Sequence, residues 1–279
     1  MTSHSTGRRR TPGAGSRPRT SSVSNGVSDQ THLGPPVGMR DLLPPESRAR
    51  RQTGVRMQEL FELHGYDLIT TPLFEYAEVF ERSLTQGDRR DLVRFVEPDT
   101  GEVVALRPDI TPQIARVLAA RMSSRPPPWR VRYEGTVIRR RRGRARKQQQ
   151  VAQAGIELVG LEGSQADAEI MGLASAACKN AGLHAHHLEL SHVGIGETLL
   201  ASVPTSVQVL AREYLARKDT LELERVLKEA GMDRRTRRPV LGLTELYGDL
   251  DVLRKARRRL ANTDAMGALE ELQEVSDLL

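Results

Sequence analysis

The stretch "YEGTVIRRRRGRARKQQQVAQAGIELVG", Tyr133 to Gly160, decides the fold. Both of its ends carry the apolar alternation of a β-strand, so the stretch predicts an antiparallel hairpin. The loop between the strands is rich in cations, which are Arg139, Arg140, Arg141, Arg142, Arg144, Arg146 and Lys147. Guanidinium groups bind phosphate and carboxylate groups through bidentate hydrogen bonds. Composition alone leaves two interpretations of this loop open, a phosphate-binding loop and a solvated hairpin tip.

The second strand has two chemically different faces, because alternate side chains of a strand point to opposite sides of the sheet. Gln153, Gly155 and Glu157 share one face, and apolar residues fill the other, which we assign to the core. The glycine leaves room for a ligand. Glu157 offers an acceptor and Gln153 offers both a donor and an acceptor. This face suits a small zwitterion or an imidazole, with a plain solvated strand face as the alternative.

A second polar segment, "LRPDITPQIAR", precedes this hairpin. Thr111 is predicted to cap a helix whose first turn contains Pro112. Asp109 is placed to bind an ammonium group beside that helix start, with Thr111 assisting. An ordinary helix cap explains Thr111 and Pro112, but it does not explain Arg107 or Gln113.

The remaining pattern predicts an α+β fold with mostly antiparallel strands, flanked by helices and followed by a helical appendage. A helix is predicted before Gly65, and a further strand hairpin lies around the "PDTG" turn. Ser164 is predicted to cap a helix, and a last strand covers "HHLELSHVG". We divide the chain into residues 1–33, a disordered basic tail, residues 34–196, an α+β core, and residues 197–279, a helical insertion-like region.

Charge and composition exclude several classes of protein. The net charge is +6, but the first 33 residues alone hold five arginines and one aspartate, so the rest of the chain is nearly neutral. Aromatic residues make up only 4% of the chain, which disfavours base stacking on RNA. No segment is apolar and long enough to span a membrane. A single cysteine and the absence of a secretory signal predict a cytoplasmic protein, and no metal site or cofactor motif is predicted.

Five segments in this order resemble the class II catalytic core of histidyl-tRNA synthetases and, more closely, their non-synthetase relatives, the regulatory subunits of ATP phosphoribosyltransferase. The segments are "GMRDLLPPE", "GYDLITTPLFE", "VVALRPDITPQIAR", the opening hairpin and "LELSHVGI". The resemblance implies a class II synthetase-like fold over about residues 36–200. It identifies "GYDLITTPLFE" with motif 1, the dimer-interface helix and strand, and the hairpin with motif 2.

The resemblance also implies a site. It assigns histidine binding to Asp109, Thr111, Arg139, Gln153 and Glu157, and phosphate contacts to Arg140 and Arg142. Active synthetases carry an acid two residues after the motif 2 arginine, where this chain has Arg141. That charge reversal implies a chain without catalytic residues of its own.

The function implied by the resemblance is that of a non-catalytic regulatory subunit in the first step of histidine biosynthesis. The expected partners are a short-form ATP phosphoribosyltransferase catalytic subunit, a second copy of this chain and histidine as effector, without membrane or cofactor. The sequence ends before the later Arg- and Tyr-containing histidine motif and motif 3, so a truncated gene product is one reading. A histidine–tRNA ligase and an RNA-binding module are the alternatives.

Overall fold

A computed structural model describes residues 33–122, 124–140 and 148–279 of the chain. Most of the predicted basic tail, together with Arg141 and Arg142 of the cationic loop, therefore lies outside the described residues. Three expectations therefore stay predictions: that the tail is disordered, that Arg141 leaves the chain without catalytic residues, and that Arg142 contacts phosphate.

Helices account for much of the described chain. Within the described ranges they are, in chain order, α1 (Glu46–Leu63), α2 (Ala77–Glu81), α3 (Gln86–Arg89), α4 (Thr111–Arg121), α5 (Ser164–Asn180), α6 (Val193–Leu200), α7 (Thr205–Arg217), α8 (Thr220–Glu229), α9 (Arg234–Gly242), α10 (Asp251–Leu260) and α11 (Met266–Leu278). A short 3-10 turn, Leu243–Glu245, follows α9.

The strands form two small sheets. They are β1 (Asp67–Leu68), β2 (Phe74–Tyr76), β3 (Arg94–Val96), β4 (Val103–Leu106), β5 (Trp129–Ile138) and β6 (Gln150–Val159). One sheet has the order β1-β5-β6, in which β1 is parallel to β5 and β6 is antiparallel to it. The other sheet has the order β2-β4-β3 and is antiparallel throughout. The α+β class expected from the sequence is confirmed.

The β5–β6 hairpin is covered on both faces, and this arrangement positions the site. On one face, Ile114 and Leu118 of α4 pack against Val131 and Val137 of β5. On the other face, Phe61 of α1 and two residues of α5 pack with the apolar side of β6, in a cluster that includes Ile156. The polar face of β6 therefore meets α4 and the loop before it, and it is not the plain solvated strand face that the sequence left open as the alternative.

The helices from α6 onward share an apolar core of their own. Leu223, Leu227 and Leu260 are fully buried in it. Helix α11 lies against α5, where the Ser164 hydroxyl donates a hydrogen bond of 2.8 Å to Glu274. The domain boundary that the sequence places at residue 196 stays a prediction. Among the described residues, no helix is long and apolar enough to cross a membrane.

The structure corrects several expectations about local elements. Residues 186–194, predicted to form a strand, do not form one: residues 186–192 are paired with none of the described strands, and Val193 and Gly194 begin α6. Thr111 and Ser164 are the first helical residues instead of the caps. The edge strand or break that the sequence predicts at Pro72, which has no N–H donor, is confirmed, because β1 and β2 lie at the edges of different sheets.

Candidate functional site

Asp109 is the centre of a polar cluster between the loop before α4 and the β5–β6 hairpin. Its Oδ2 accepts a hydrogen bond from Arg139 Nη2 at 2.9 Å. Its Oδ1 accepts from Gln153 Nε2 at 2.9 Å and from the Thr111 backbone N–H at 3.1 Å. The carboxylate therefore satisfies the first helical N–H of α4, next to the N-cap residue Ile110. Three separate chain segments meet at this one side chain.

Glu157 forms the second carboxylate of the cluster. Its Oε1 accepts hydrogen bonds from the Thr111 hydroxyl at 2.8 Å and from the Tyr133 hydroxyl at 3.2 Å. The Thr111 and Tyr133 oxygens lie 3.1 Å apart. Thr111 therefore connects the two carboxylates, through its backbone N–H to Asp109 and through its side chain to Glu157.

Two backbone contacts fix the orientation of the long side chains. Gln153 Oε1 accepts from the Ile110 N–H at 3.1 Å, so its amide nitrogen is directed at Asp109. Arg139 Nε donates to the Pro108 carbonyl at 2.9 Å. The guanidinium is thereby held at the base of the cationic loop, with 38% of its side chain and 39% of the Asp109 side chain exposed. Both ends of this ion pair remain open to a ligand from solvent.

Arg107 and Gln113, which an ordinary helix cap does not explain, hold the backbone next to the polar cluster in place. Arg107 donates to the Thr136 carbonyl at 2.8 Å and to the Thr71 carbonyl at 3.0 Å. Gln113 is fully buried, accepts from the Thr71 hydroxyl and donates to the Pro72 carbonyl. They hold the irregular segment between β1 and β2 against the loop before α4. Burial lowers the pKa of Arg107, which has only neutral hydrogen-bond partners among the described residues.

The buried position of the Arg107 guanidinium depends on Gly135. A Cβ atom at residue 135 would lie 2.1 Å from Arg107 Nη2, far inside contact distance. The glycine thus leaves the space that the buried guanidinium fills. Arg107 and Asp109 are two residues apart in the sequence, and only packing separates their roles.

The cluster has the groups that a zwitterionic amino acid needs. Asp109 can accept hydrogen bonds from an ammonium group, Arg139 can bind a carboxylate, and Glu157 can accept from a ring N–H. All five residues predicted from the sequence, Asp109, Thr111, Arg139, Gln153 and Glu157, lie in this one hydrogen-bonded cluster. Their role in binding histidine stays a prediction.

The other predicted contacts have different outcomes. Arg140 is exposed and makes no hydrogen bond or ion pair with the described residues, so its phosphate contact stays a prediction. The described residues contain no group of three potential metal ligands. Among the histidines of the segment "HAHH", residues 184–187, His186 has both ring nitrogens in hydrogen bonds. Its Nε2 lies 2.9 Å from the Ser175 hydroxyl, and its Nδ1 lies 3.1 Å from the Leu183 carbonyl.

Sequence reasoning missed Tyr133, which is 5% exposed and touches both Thr111 and Glu157. The signal was present in the register of the hairpin. Tyr133 on β5 pairs with Gly155 on β6, the centre of the polar face. Burial, together with the charges of Glu157 and Asp109, raises the pKa of Tyr133 to about 12.

Comparison with known protein families and relatives supports the resemblance. The family model described as histidyl-tRNA synthetase matches residues 38–279. Curated relatives named ATP phosphoribosyltransferase regulatory subunit include one from Anaeromyxobacter dehalogenans, 38% identical over 85% of this chain and 69% of its own length. Those from Moorella thermoacetica and Syntrophotalea carbinolica are 34% and 33% identical over 88% of this chain. The chain spans 63% and 58% of these two relatives.

Solved structures agree with the fold. A Bacillus halodurans protein described as an ATP phosphoribosyltransferase regulatory subunit/histidyl-tRNA synthetase superposes with a TM-score of 0.79 at 29% identity, covering 90% of this chain and 66% of its own. The histidyl-tRNA synthetase from Nostoc superposes with a TM-score of 0.70 at 18% identity, covering 89% of this chain and 59% of its own, and shows the fold alone.

Proposed function

The chain belongs to the histidyl-tRNA synthetase-like family that includes the ATP phosphoribosyltransferase regulatory subunits, and on that premise we propose that it is a non-catalytic regulatory subunit of this enzyme in the cytoplasm. It would serve the first step of histidine biosynthesis and allow histidine to regulate that step. The names of its relatives at 33–38% identity support this assignment. The observation that carries it is the cluster around Asp109 and Arg139, which offers an amino acid both of its charged anchors.

Histidine is the proposed ligand of the cluster. Its carboxylate replaces Asp109 as the partner of Arg139, and its ammonium group takes the place of the guanidinium at Asp109. Both charges of the protein then keep a partner, so little desolvation is left uncompensated. Gln153 and Thr111 complete the amino end of the site, and Glu157 accepts the imidazole N–H.

Regulation requires that histidine binds one assembly state more tightly than another, because a ligand shifts an equilibrium only by its difference in affinity. The partner that would provide these states is a short-form ATP phosphoribosyltransferase catalytic subunit. A homodimer through α1 and β1 is part of the proposal. The outward-facing side chains of this region, Val55 of α1 and Leu68 of β1, are 43% and 54% exposed and are available for such a contact.

Histidine binding is tested by titration calorimetry with Glu157→Gln. Loss of a charged acceptor costs about 1.5–3 kcal/mol, so we expect histidine to bind roughly 10- to 150-fold more weakly. Glu224→Gln is the matched control, since Glu224 is exposed on α8 and should leave the affinity unchanged. Equal affinity of the Glu157 variant and the wild type would remove Glu157 from the site.

Assembly is tested by co-expression with a short-form catalytic subunit and purification through a tag on one chain. We expect the two chains to co-purify, and we expect phosphoribosyltransferase activity to rise and to become sensitive to histidine. Separate elution together with unchanged activity would refute the regulatory role.

The second candidate is a histidine–tRNA ligase, which the name of the matching family model favours. It predicts histidine-dependent exchange between ATP and pyrophosphate by the purified chain. The regulatory role predicts none, because Arg141 stands where active synthetases carry an acid.

A further inference from the structure

We infer that Tyr133 is a positioning residue of this site, which fixes Glu157 so that its second carboxylate oxygen accepts the ring N–H of the ligand. The inference rests on the proposed function for the identity of the ligand. Tyr133 itself does not contact the ligand in this arrangement. It acts through Glu157 and Thr111.

The hydrogen bonds of Glu157 are divided unequally between its two oxygens. Oε1 accepts from the Thr111 hydroxyl and from the Tyr133 hydroxyl, at 2.8 and 3.2 Å. Oε2 receives no hydrogen bond from any of the described residues. A carboxylate held through one oxygen by two donors cannot rotate freely, so Oε2 is left as a fixed acceptor for a donor from outside the protein.

The position of the Tyr133 hydroxyl depends on Gly155, its cross-strand partner. A Cβ atom at residue 155 would lie 2.5 Å from the Tyr133 hydroxyl oxygen and 2.6 Å from Cζ. The ring therefore lies directly against the backbone of β6, which only a glycine permits. On its other sides the ring belongs to the cluster that contains Ile110 and Ile114. Packing thus determines where the hydroxyl is.

The protonation state of Tyr133 agrees with this role. Burial raises its pKa to about 12, with the charges of Glu157 and Asp109 adding to the effect. The hydroxyl therefore keeps its proton at neutral pH and remains a donor to Glu157. Glu157 then presents Oε2 to the ligand as a hydrogen-bond acceptor. An acceptor at this place favours a ring with an N–H group over a ring without one.

The test compares histidine with 2-thienylalanine, whose ring is similar in shape and has no N–H, in calorimetric titrations of wild type and Tyr133→Phe. We expect the wild type to prefer histidine at least tenfold. In the variant that preference should fall at least threefold, while the affinity for thienylalanine changes less than twofold. Tyr247→Phe is the control, because Tyr247 is 64% exposed and distant in the chain, and its preference should equal that of the wild type.

Two results would overturn the inference. A parallel loss of affinity for both ligands indicates a general structural effect, and an unchanged preference indicates that Tyr133 does not position Glu157. A wild-type protein that binds no histidine would refute the proposed function instead. In that case a thermodynamic cycle of Tyr133→Phe and Glu157→Gln, measured by unfolding, decides the role of Tyr133: a coupling of about fivefold or more in the unfolding constant supports it, and additivity within twofold overturns it.

Discussion

Replacing Arg107 by Met should destabilise the protein strongly, although Arg107 makes no ion pair with the described residues. Its guanidinium donates to the carbonyls of Thr136, Thr71 and Pro72 at 2.8, 3.0 and 3.3 Å, and the residue is 7% exposed. The Pro72 carbonyl keeps a second donor, Gln113 Nε2, so two carbonyls lose a charged partner. An unsatisfied buried acceptor costs about 1–3 kcal/mol. Allowing for the desolvation cost that removal of the cation recovers, we expect a loss of about 3 kcal/mol.

The measurement is urea-induced unfolding followed by circular dichroism, with linear extrapolation to water. Arg107→Lys keeps the charge but cannot reach carbonyls on both sides as a planar guanidinium does, so it should rescue less than half of the loss. Arg121→Met is the matched control, because Arg121 is exposed at the end of α4 and its replacement should change stability by less than about 0.5 kcal/mol. A loss below about 1 kcal/mol for Arg107→Met, or full rescue by Lys, would refute the reasoning.

Two further predictions concern stability away from the site. Hydrogen bonds from Arg130 and Tyr66 lower the pKa of Glu169 from 4.5 to about 2, so this network stabilises the fold above about pH 4.5 and loses that contribution as the pH falls toward 2. Arg130→Gln should therefore lower the free energy of unfolding at pH 7 more than at pH 2.5, and an equal loss at both pH values would contradict the network. Leu227→Ala, at a fully buried residue of α8, should cost about 2–5 kcal/mol in thermal or urea unfolding, while Leu221→Ala, 81% exposed on the same helix, should cost little.

Much of the architecture followed from local patterns. The hairpin β5–β6, the "PDTG" hairpin of β3 and β4, and the helices α1, α4 and α5 lie where apolar periodicity and turn residues placed them. These elements are readable because each depends on the spacing of its own residues. The strand predicted at "HHLELSHVG" is not formed, because strand formation depends on a neighbour that the local sequence does not specify.

The site was readable only in part. Alternation along β6 grouped Gln153 with Glu157, the predicted helix start suggested Asp109 with Thr111, and the resemblance joined these four residues with Arg139 in one site. The sequence did not reveal that α4 covers that polar face, nor that Arg107 is a buried support while its neighbour Asp109 is the centre of the cluster. Residues two positions apart in an extended segment look equivalent in a pattern.

The sequence by itself determined the order and type of most elements, because these depend on short-range periodicity. It also indicated the family of the chain, because the family's motifs are continuous stretches of sequence. The tertiary structure decided what each polar residue does. Tyr133 reads as an ordinary strand residue until β6 pairs with β5 and Gly155 lies opposite it. Its role depends on the space left by a glycine 22 residues away in the sequence. The two residues come into contact only after the chain has folded.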